Sequence, residues 1–299
     1  MSNGPAIDVV IPALNEEASL PLVLAGLPHP PVRRVVVADN GSRDGTARVA
    51  REGGAEVVEA SRRGYGSACL AGLDHLRRTG PPDVVVFIDA DFSDHPEELP
   101  SLVAPILGDK ADLVIGSRVL GQRERGALLP QARAGNLVAC LLIRLFYGHR
   151  FTDLGPFRAV RWEALERLQM ADPDFGWTAE MQVKAVRQGL RCVEVPVSYR
   201  KRVGVSKITG TISGTVRAGF KILWTVGRYV RTLTPGPSPV PSHPPSPGEG
   251  NHRPKTTPKG SSPSSPGEGG WEGTGEEGRG DEGQPAGSAN VDETERDDR

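Results

Sequence analysis

The sequence predicts an α/β fold built on a mostly parallel sheet flanked by helices. Three observations predict it. Short runs of β-branched and aliphatic residues alternate with segments of helical periodicity from residue 7 to about residue 230. The run Val84-Val85-Val86-Phe87-Ile88 has no polar member, as expected of a strand buried on both faces. The connections after the early runs are dense in Pro, Asn, Asp and Gly, which end strands and open helices.

Taken in order, residues 7–11 read as the first strand, and Pro12-Ala13-Leu14 turns out of it. Asn15 is expected to cap a helix that carries Glu16 and Glu17 in its first turn. Residues 34–37 form the second strand. The turn-rich segment 39–46 leads into a helix at 46–52, and 55–58 is a short third strand. Arg62-Arg63-Gly64-Tyr65-Gly66 opens a helix that runs to about Arg78. After the central strand, Asp94 is expected to cap a helix with Pro96 at its start. Residues 113–115 are a strand, and the polar stretch 117–129, with Arg118, Arg123 and Arg125, reads as a mobile loop. A helix at 132–147 is apolar over most of its surface. A strand at 157–160, helices at 162–168 and 178–188, and a last strand at 192–199 follow. Residues 200–207 form a basic loop. Residues 208–230 form a long amphipathic helix, with Ile208, Ile212, Val216 and Leu223 at helical spacing.

Composition divides the chain into a globular part, 1–232, and a tail, 233–299. The tail is rich in Pro, Gly, Ser and Glu and repeats Ser-Pro-Gly-Glu-Gly at 246–250 and 265–269. It has too few aliphatics to offset chain entropy and is expected to be disordered. It carries twelve acidic and six basic residues, which leaves 30 basic and 25 acidic residues for 1–232. A near-neutral total therefore hides a basic domain and an acidic tail. Between Pro196 and Arg231 there are eight Lys or Arg and no acid, which favours an anionic partner: phosphate, a membrane surface or nucleic acid. Cys69, Cys140 and Cys192 are scattered without metal spacing, which fits a reducing, cytoplasmic setting. The N-terminus has no signal-peptide core. No apolar run nears the roughly 20 residues of a spanning helix; the longest, 137–147, is broken by Arg144.

Asp89 and Asp91 follow the central strand at once. At i and i+2 on an extended chain they point to the same side, and two adjacent carboxylates repel unless a proton or cation lies between them. At the carboxyl end of a buried parallel strand the fitting guest is a hard divalent ion, Mg²⁺ or Mn²⁺, completed by water and substrate phosphate. The plainer alternative is that one aspartate caps the next helix and the other is solvated. A dinucleotide fold would want G-x-G-x-x-G after the first strand, where Pro-Ala-Leu-Asn-Glu-Glu stands instead.

Several segments together resemble family 2 glycosyltransferases of the GT-A fold, in particular the branch that includes dolichyl- and polyprenyl-phosphate sugar transferases. They are Val10 to Glu16, Ala38 to Thr46, Gly64-Tyr65-Gly66, Asp89-Ala90-Asp91, Gly116-Ser117-Arg118, Asp153 to Arg158 and Glu194 to Lys207, in the family's order over about 1–230. Two positions depart from it. The family often has two aspartates where Asp39-Asn40 stands, and the branch often has Gln where Ser93 stands.

The resemblance implies inverting, metal-dependent transfer of a sugar from a nucleotide-diphosphate sugar of the UDP-glucose or GDP-mannose type. The implied acceptor is a polyprenyl or dolichyl phosphate at the cytoplasmic membrane face. It implies that Pro12, Ala13, Asn15, Glu16, Asp39, Arg63, Asp89 and Ala90 meet the nucleotide sugar, with Asp89 and Asp91 on the metal. Arg118 would lie near the diphosphate. Arg133, Arg202, Ser206 and Lys207 would meet the acceptor phosphate. Asp153, with Asp91 and Arg118, would belong to the catalytic set, as a base for a hydroxyl acceptor or as a positioning group for a phosphate. Glu180 is a second candidate base, and either acid could instead pair with Arg158. For Asn15, Glu16, Gly64 and Gly66 helix entry is the plainer alternative, and for the arginines a solvated basic face. The helices at 132–147 and 208–231 suit a peripheral membrane contact. The core, a second copy in a homo-oligomer or a membrane-embedded partner are the alternative neighbours. Transfer to a soluble hydroxyl acceptor is the enzymatic alternative. Nucleic-acid binding explains the basic run but neither the D-x-D nor the loop at 38–46, so no nucleic acid is expected.

Overall fold

A computed structural model describes residues 4–204 and 212–229. Ser206, Lys207 and the expected tail at 233–299 lie outside the described residues, as does the start of the last helix. The strands are β1 (Ile7–Ala13), β2 (Val32–Asp39), β3 (Glu56–Glu59), β4 (Val84–Phe87), β5 (Leu113–Ser117), β6 (Arg158–Arg161) and β7 (Cys192–Pro196). They form one sheet in the order β3-β2-β1-β4-β6-β5-β7. All neighbours are parallel except β6, which runs antiparallel to both β4 and β5.

The period-2 geometry of strands sorts the central residues onto two faces. Val84, Val86 and Ile88 join one core layer with Ile7, Val9 and Ile11; Val85 and Phe87 join the other with Val10. The first layer is covered by α1 (Leu20–Gly26), α2 (Thr46–Glu52) and α4 (Leu99–Leu107). The second is covered by α3 (Tyr65–Thr79), α5 (Pro130–Tyr147), α6 (Trp162–Leu168) and α7 (Trp177–Arg187). Phe87 meets Trp177 edge-on, with ring centroids 5.9 Å apart. Both-face burial is why no polar residue interrupts 84–88. The last described helix, α8 (Ile212–Arg228), packs on α5 and α7.

Two expected caps are absent. Asn15 has φ +51° and lies before the helix, which starts at Leu20. Its N–H donates to Ser42 Oγ (2.9 Å) and its Oδ1 accepts from Arg43 N (2.7 Å), so it ties the exit of β1 to that of β2. Asp94 caps nothing: the turn at Pro96–Glu98 follows His95 without a side-chain cap, and both Asp94 carboxylate oxygens are buried without a partner among the described residues. The loop at 117–129 is not free. Glu124 N donates to Tyr199 O and Tyr199 N to Gln122 O, each at 2.8 Å. The last strand ends at Pro196, and Tyr199 instead makes single bridges to Asp94 and Arg123.

Candidate active site

The carboxyl ends of β1, β2 and β4 open onto one cavity of about 340 Å³. Pro12, Ala13 and Glu16 reach it from β1, Arg63 from the entry of α3, and Asp89, Ala90 and Asp91 from β4. Arg202 arrives from the segment after β7. Eight residues chosen from sequence thus meet in one place.

Both aspartates are held. Tyr65 OH donates to Asp89 Oδ1 at 3.0 Å, and Ser93 N donates to Asp91 Oδ1 at 2.9 Å, with the Ser93 hydroxyl on the same oxygen. Burial and then the charge of Asp91 raise the Asp89 carboxyl to about 7, against the pull of Tyr65, Arg118 and Arg202. Arg202 bridges the walls, with 2.8 Å to Glu16 Oε1 and 3.3 Å to Asp91 Oδ2. Glu16 is also fixed by Ser19 Oγ (2.7 Å) and donates its own N–H to Thr46 Oγ1 (2.8 Å). Asp94 sits behind this group. Burial and the charge of Asp89 push it well above the usual carboxylate range.

The donor set fits a divalent cation of the Mg²⁺ or Mn²⁺ kind. It offers two hard carboxylates: Asp89, with one oxygen tied back by Tyr65, and Asp91, whose Oδ1 is held by Ser93 and whose Oδ2 faces Arg202, the partner a cation would displace there. No group of three metal-ligating side chains occurs among the described residues, so other ligands would come from water and phosphate.

Other expected site residues take different places. Asp39 is buried and accepts from Ser42 N at 2.9 Å, so that Asn40 forms the wall beside it. Arg118 and Asp153 form a bidentate pair, Nε to Oδ2 at 2.8 Å and the second nitrogen to Oδ1 at 2.7 Å. Arg118 N also donates to Oδ2 at 2.8 Å, and the guanidinium lies over the Tyr199 ring. Asp153 is fully buried, and this carboxylate raises the Arg118 pKa despite burial. Asp153 is therefore placed to hold Arg118. Glu180 is likewise committed, to Lys184 (2.8 Å), Tyr229 OH (2.7 Å) and Asp172 N (2.7 Å). Neither acid pairs with Arg158. That guanidinium donates to the carbonyls of Leu154, Gly155 and Thr178, and burial lowers it to about 10. Arg133 lies on the exposed side of α5, outside the cavity wall.

Asn40, Tyr65, Asp174 and Phe175 also line the cavity. Asn40 uses both ends of its amide: Oδ1 accepts from Gly64 N (3.0 Å) and Nδ2 donates to Gly64 O. An aspartate could not donate, which is a physical reason for Asn beside Asp39. The close backbone approach at Gly64 and Gly66 is to the 172–173 segment. A Cβ on Gly66 would stand 1.9 Å from Asp172 O, and Gly64 has φ +141°. This packing delivers Asp174 and Phe175 to the cavity. Gly66→Ala should therefore displace that segment and cost about 3 kcal/mol or more, read as a lowered urea midpoint. An unchanged midpoint would show that the segment yields freely.

An open α/β sheet with one reversed strand and paired aspartates at its carboxyl rim is the arrangement of GT-A glycosyltransferases. Comparison with known proteins agrees. The sequence model described as Glycosyl transferase family 2 matches residues 8–168, and the chain belongs to that family. An uncharacterized glycosyltransferase of Mycobacterium tuberculosis is 43% identical over 218 residues, 72% of this chain and 95% of that one. The undecaprenyl-phosphate mannosyltransferase of Micrococcus luteus is 33% identical, covering 69% of this chain and 88% of its own. The dolichyl-phosphate hexose transferase of Haloferax volcanii is 33% identical, covering 67% and 85%. Among solved structures, glucosyl-3-phosphoglycerate synthase from M. tuberculosis, in complex with Mn²⁺, uridine diphosphate and glucosyl-3-phosphoglycerate, superposes with TM-score 0.61. It is 27% identical and covers 76% of this chain and 81% of that chain. The chain is thus a family 2 glycosyltransferase with relatives among polyprenyl-phosphate sugar transferases.

Proposed function

We propose that this enzyme transfers a hexosyl unit, with inversion, from a nucleoside diphosphate sugar to a polyprenyl or dolichyl phosphate. The observation that carries the reading is the meeting of Asp89, Asp91, Glu16, Arg63 and Arg202 around one cavity. The names of the curated relatives support the acceptor.

Asp89 and Asp91 would hold Mg²⁺ or Mn²⁺, whose charge stabilises the departing diphosphate. Pro12, Ala13, Asn40 and Arg63 would seat the nucleotide. Arg118, fixed by Asp153, and Arg202 supply positive charge beside the developing leaving group. Arg133, Ser206 and Lys207 are proposed for the acceptor phosphate. A phosphate acceptor is already ionised and needs no strong base, which agrees with the commitment of Asp153 and Glu180 to other partners.

The second reading, transfer to a soluble hydroxyl acceptor, is favoured by the superposition on a synthase of glucosyl-3-phosphoglycerate. It would call on Asp174, which lines the cavity, as base. The test is transfer from UDP-glucose or GDP-mannose to a detergent-solubilised polyprenyl phosphate against 3-phosphoglycerate. With the lipid phosphate, Asp174→Asn is expected to change kcat by less than about tenfold. A loss of about 10²–10⁴-fold would favour the hydroxyl reading.

A further inference from the structure

Asp89 and Asp91 are held by different means. Asp91 is held from its own turn: Ser93, two residues on, donates its N–H to Oδ1 at 2.9 Å. Asp89 is held from another element. Tyr65, the first residue of α3, donates its hydroxyl to Asp89 Oδ1 at 3.0 Å. Tyr65 and Asp89 both line the cavity. A ring that only filled space there could be phenylalanine. The phenol instead gives its one proton to a carboxylate whose neighbour carries the same charge.

The reach of Tyr65 is fixed by the residues on either side of it. Gly64, with φ +141°, is clasped by the Asn40 amide, which accepts from Gly64 N at 3.0 Å and donates to Gly64 O. Asn40 N in turn donates to Ala13 O at 2.8 Å, so the clasp starts from the joined exits of β1 and β2. On the other side, Gly66 lies against the Asp172 carbonyl. Ser67 N and Ser67 Oγ both donate to Pro173 O, at 2.9 and 3.1 Å. Asn40 thus sets one end of this turn and 172–173 the other, and the phenol reaches Asp89 from between them. An aspartate at position 40 would set a carboxylate against the Gly64 carbonyl and loosen the clasp.

We propose that Asn40 and Tyr65 are positioning residues for the divalent-cation site: the Asn40 amide fixes the turn at Gly64, and from that turn Tyr65 keeps the Asp89 carboxylate in one orientation. The proposal rests on the reading of Asp89 and Asp91 as ligands of the cation, and it assigns their hold to side chains that need not touch the ion. No group of three metal-ligating side chains occurs among the described residues. A site built on two carboxylates depends the more on their being oriented beforehand, because every unfixed ligand must be ordered when the ion arrives.

The test titrates the full chain with Mn²⁺ alone, at pH 8 and without nucleotide. It reads the Mn²⁺ concentration that gives a fixed rise in melting temperature over the metal-free protein, which scales with the dissociation constant. Tyr65→Phe is expected to need about 10–100-fold more Mn²⁺ than wild type, and Asn40→Ala about tenfold more. The double variant should need no more than Tyr65→Phe, because both residues act through one bond. Tyr147→Phe, which removes the phenol bond to Val226 O on the far helix pair, should respond like wild type. A wild-type response in Tyr65→Phe or in Asn40→Ala would overturn the proposal. So would single effects that multiply in the double variant, or a Tyr147→Phe loss as large as that of Tyr65→Phe, which would mark general destabilisation. If Asp89→Asn loses the Mn²⁺ response while Tyr65→Phe keeps it, the cation reading stands and the positioning role falls. No response in wild type would overturn both.

Discussion

Asp89→Asn is expected to lower transfer at least about 10³-fold while making the metal-free protein more stable at pH 8. The first effect follows from removing one of two carboxylates proposed for the cation. The second follows from the raised carboxyl. In the fold Asp89 ionises at about 7, against an ordinary value of 3.8. Above pH 7 the folded chain must therefore keep a charge that burial and Asp91 disfavour, whereas the unfolded chain carries it freely. That cost is fully present above about 7 and fades as pH falls toward 4. Asparagine removes it, for a gain of about 1–3 kcal/mol at pH 8 and none at pH 4. Urea melts in EDTA at the two pH values check this. The same geometry predicts that wild-type Mn²⁺ affinity drops up to about tenfold per unit below pH 7, because the proton and the cation compete for Asp89. A variant that loses stability at pH 8, or that still shows a Mn²⁺-dependent thermal shift, would sink this account.

Asp153→Asn is expected to cost about 3–5 kcal/mol, because it strands the Arg118 guanidinium in the interior without a counter-charge. Arg118→Met should cost a similar amount by stranding Asp153. The double variant should be less destabilised than the sum of the two, since it removes both charges together. Transfer should be lost in all three, because each lacks a positioned Arg118. Additive losses in the double variant would mean that the bidentate pair does not carry the coupling.

The sheet was largely legible because its signal is local. Val84 to Ile88 and Ile7 to Ile11 alternate between two buried layers, and a strand buried on both faces shows that in its own residues. The aspartates at the end of β4 were legible for the same reason. The direction of β6 was not, because four residues of Arg-Ala-Val-Arg pattern say nothing about which way they run. Asn15 and Asp94 have the chemistry of caps but are used otherwise: one by a contact to 42–43, the other by burial behind a charged cluster. Asp174 and Phe175 carried no signal at all. They reach the cavity because Gly64 and Gly66, over a hundred residues earlier, leave room for the backbone of 172–173. Tyr65 stood inside the Gly64-Tyr65-Gly66 segment, yet its bond to Asp89 spans 24 positions and belongs to the fold rather than the motif.

The reversed strand β6 has a consequence for how such an enzyme can diverge. In an all-parallel sheet only the connections leaving the strands gather at the working rim. Here the connection entering β6 gathers there as well, which is how Asp153 meets the arginine that leaves β5. That connection, 148–157, joins α5 to the sheet and shares no strand with the exits of β1 and β2. Lengthening or shortening it would move Asp153, and with it Arg118, while the cavity walls that β1, β2 and β4 supply stay in place; under the proposed function, the acceptor could then change without relearning the donor.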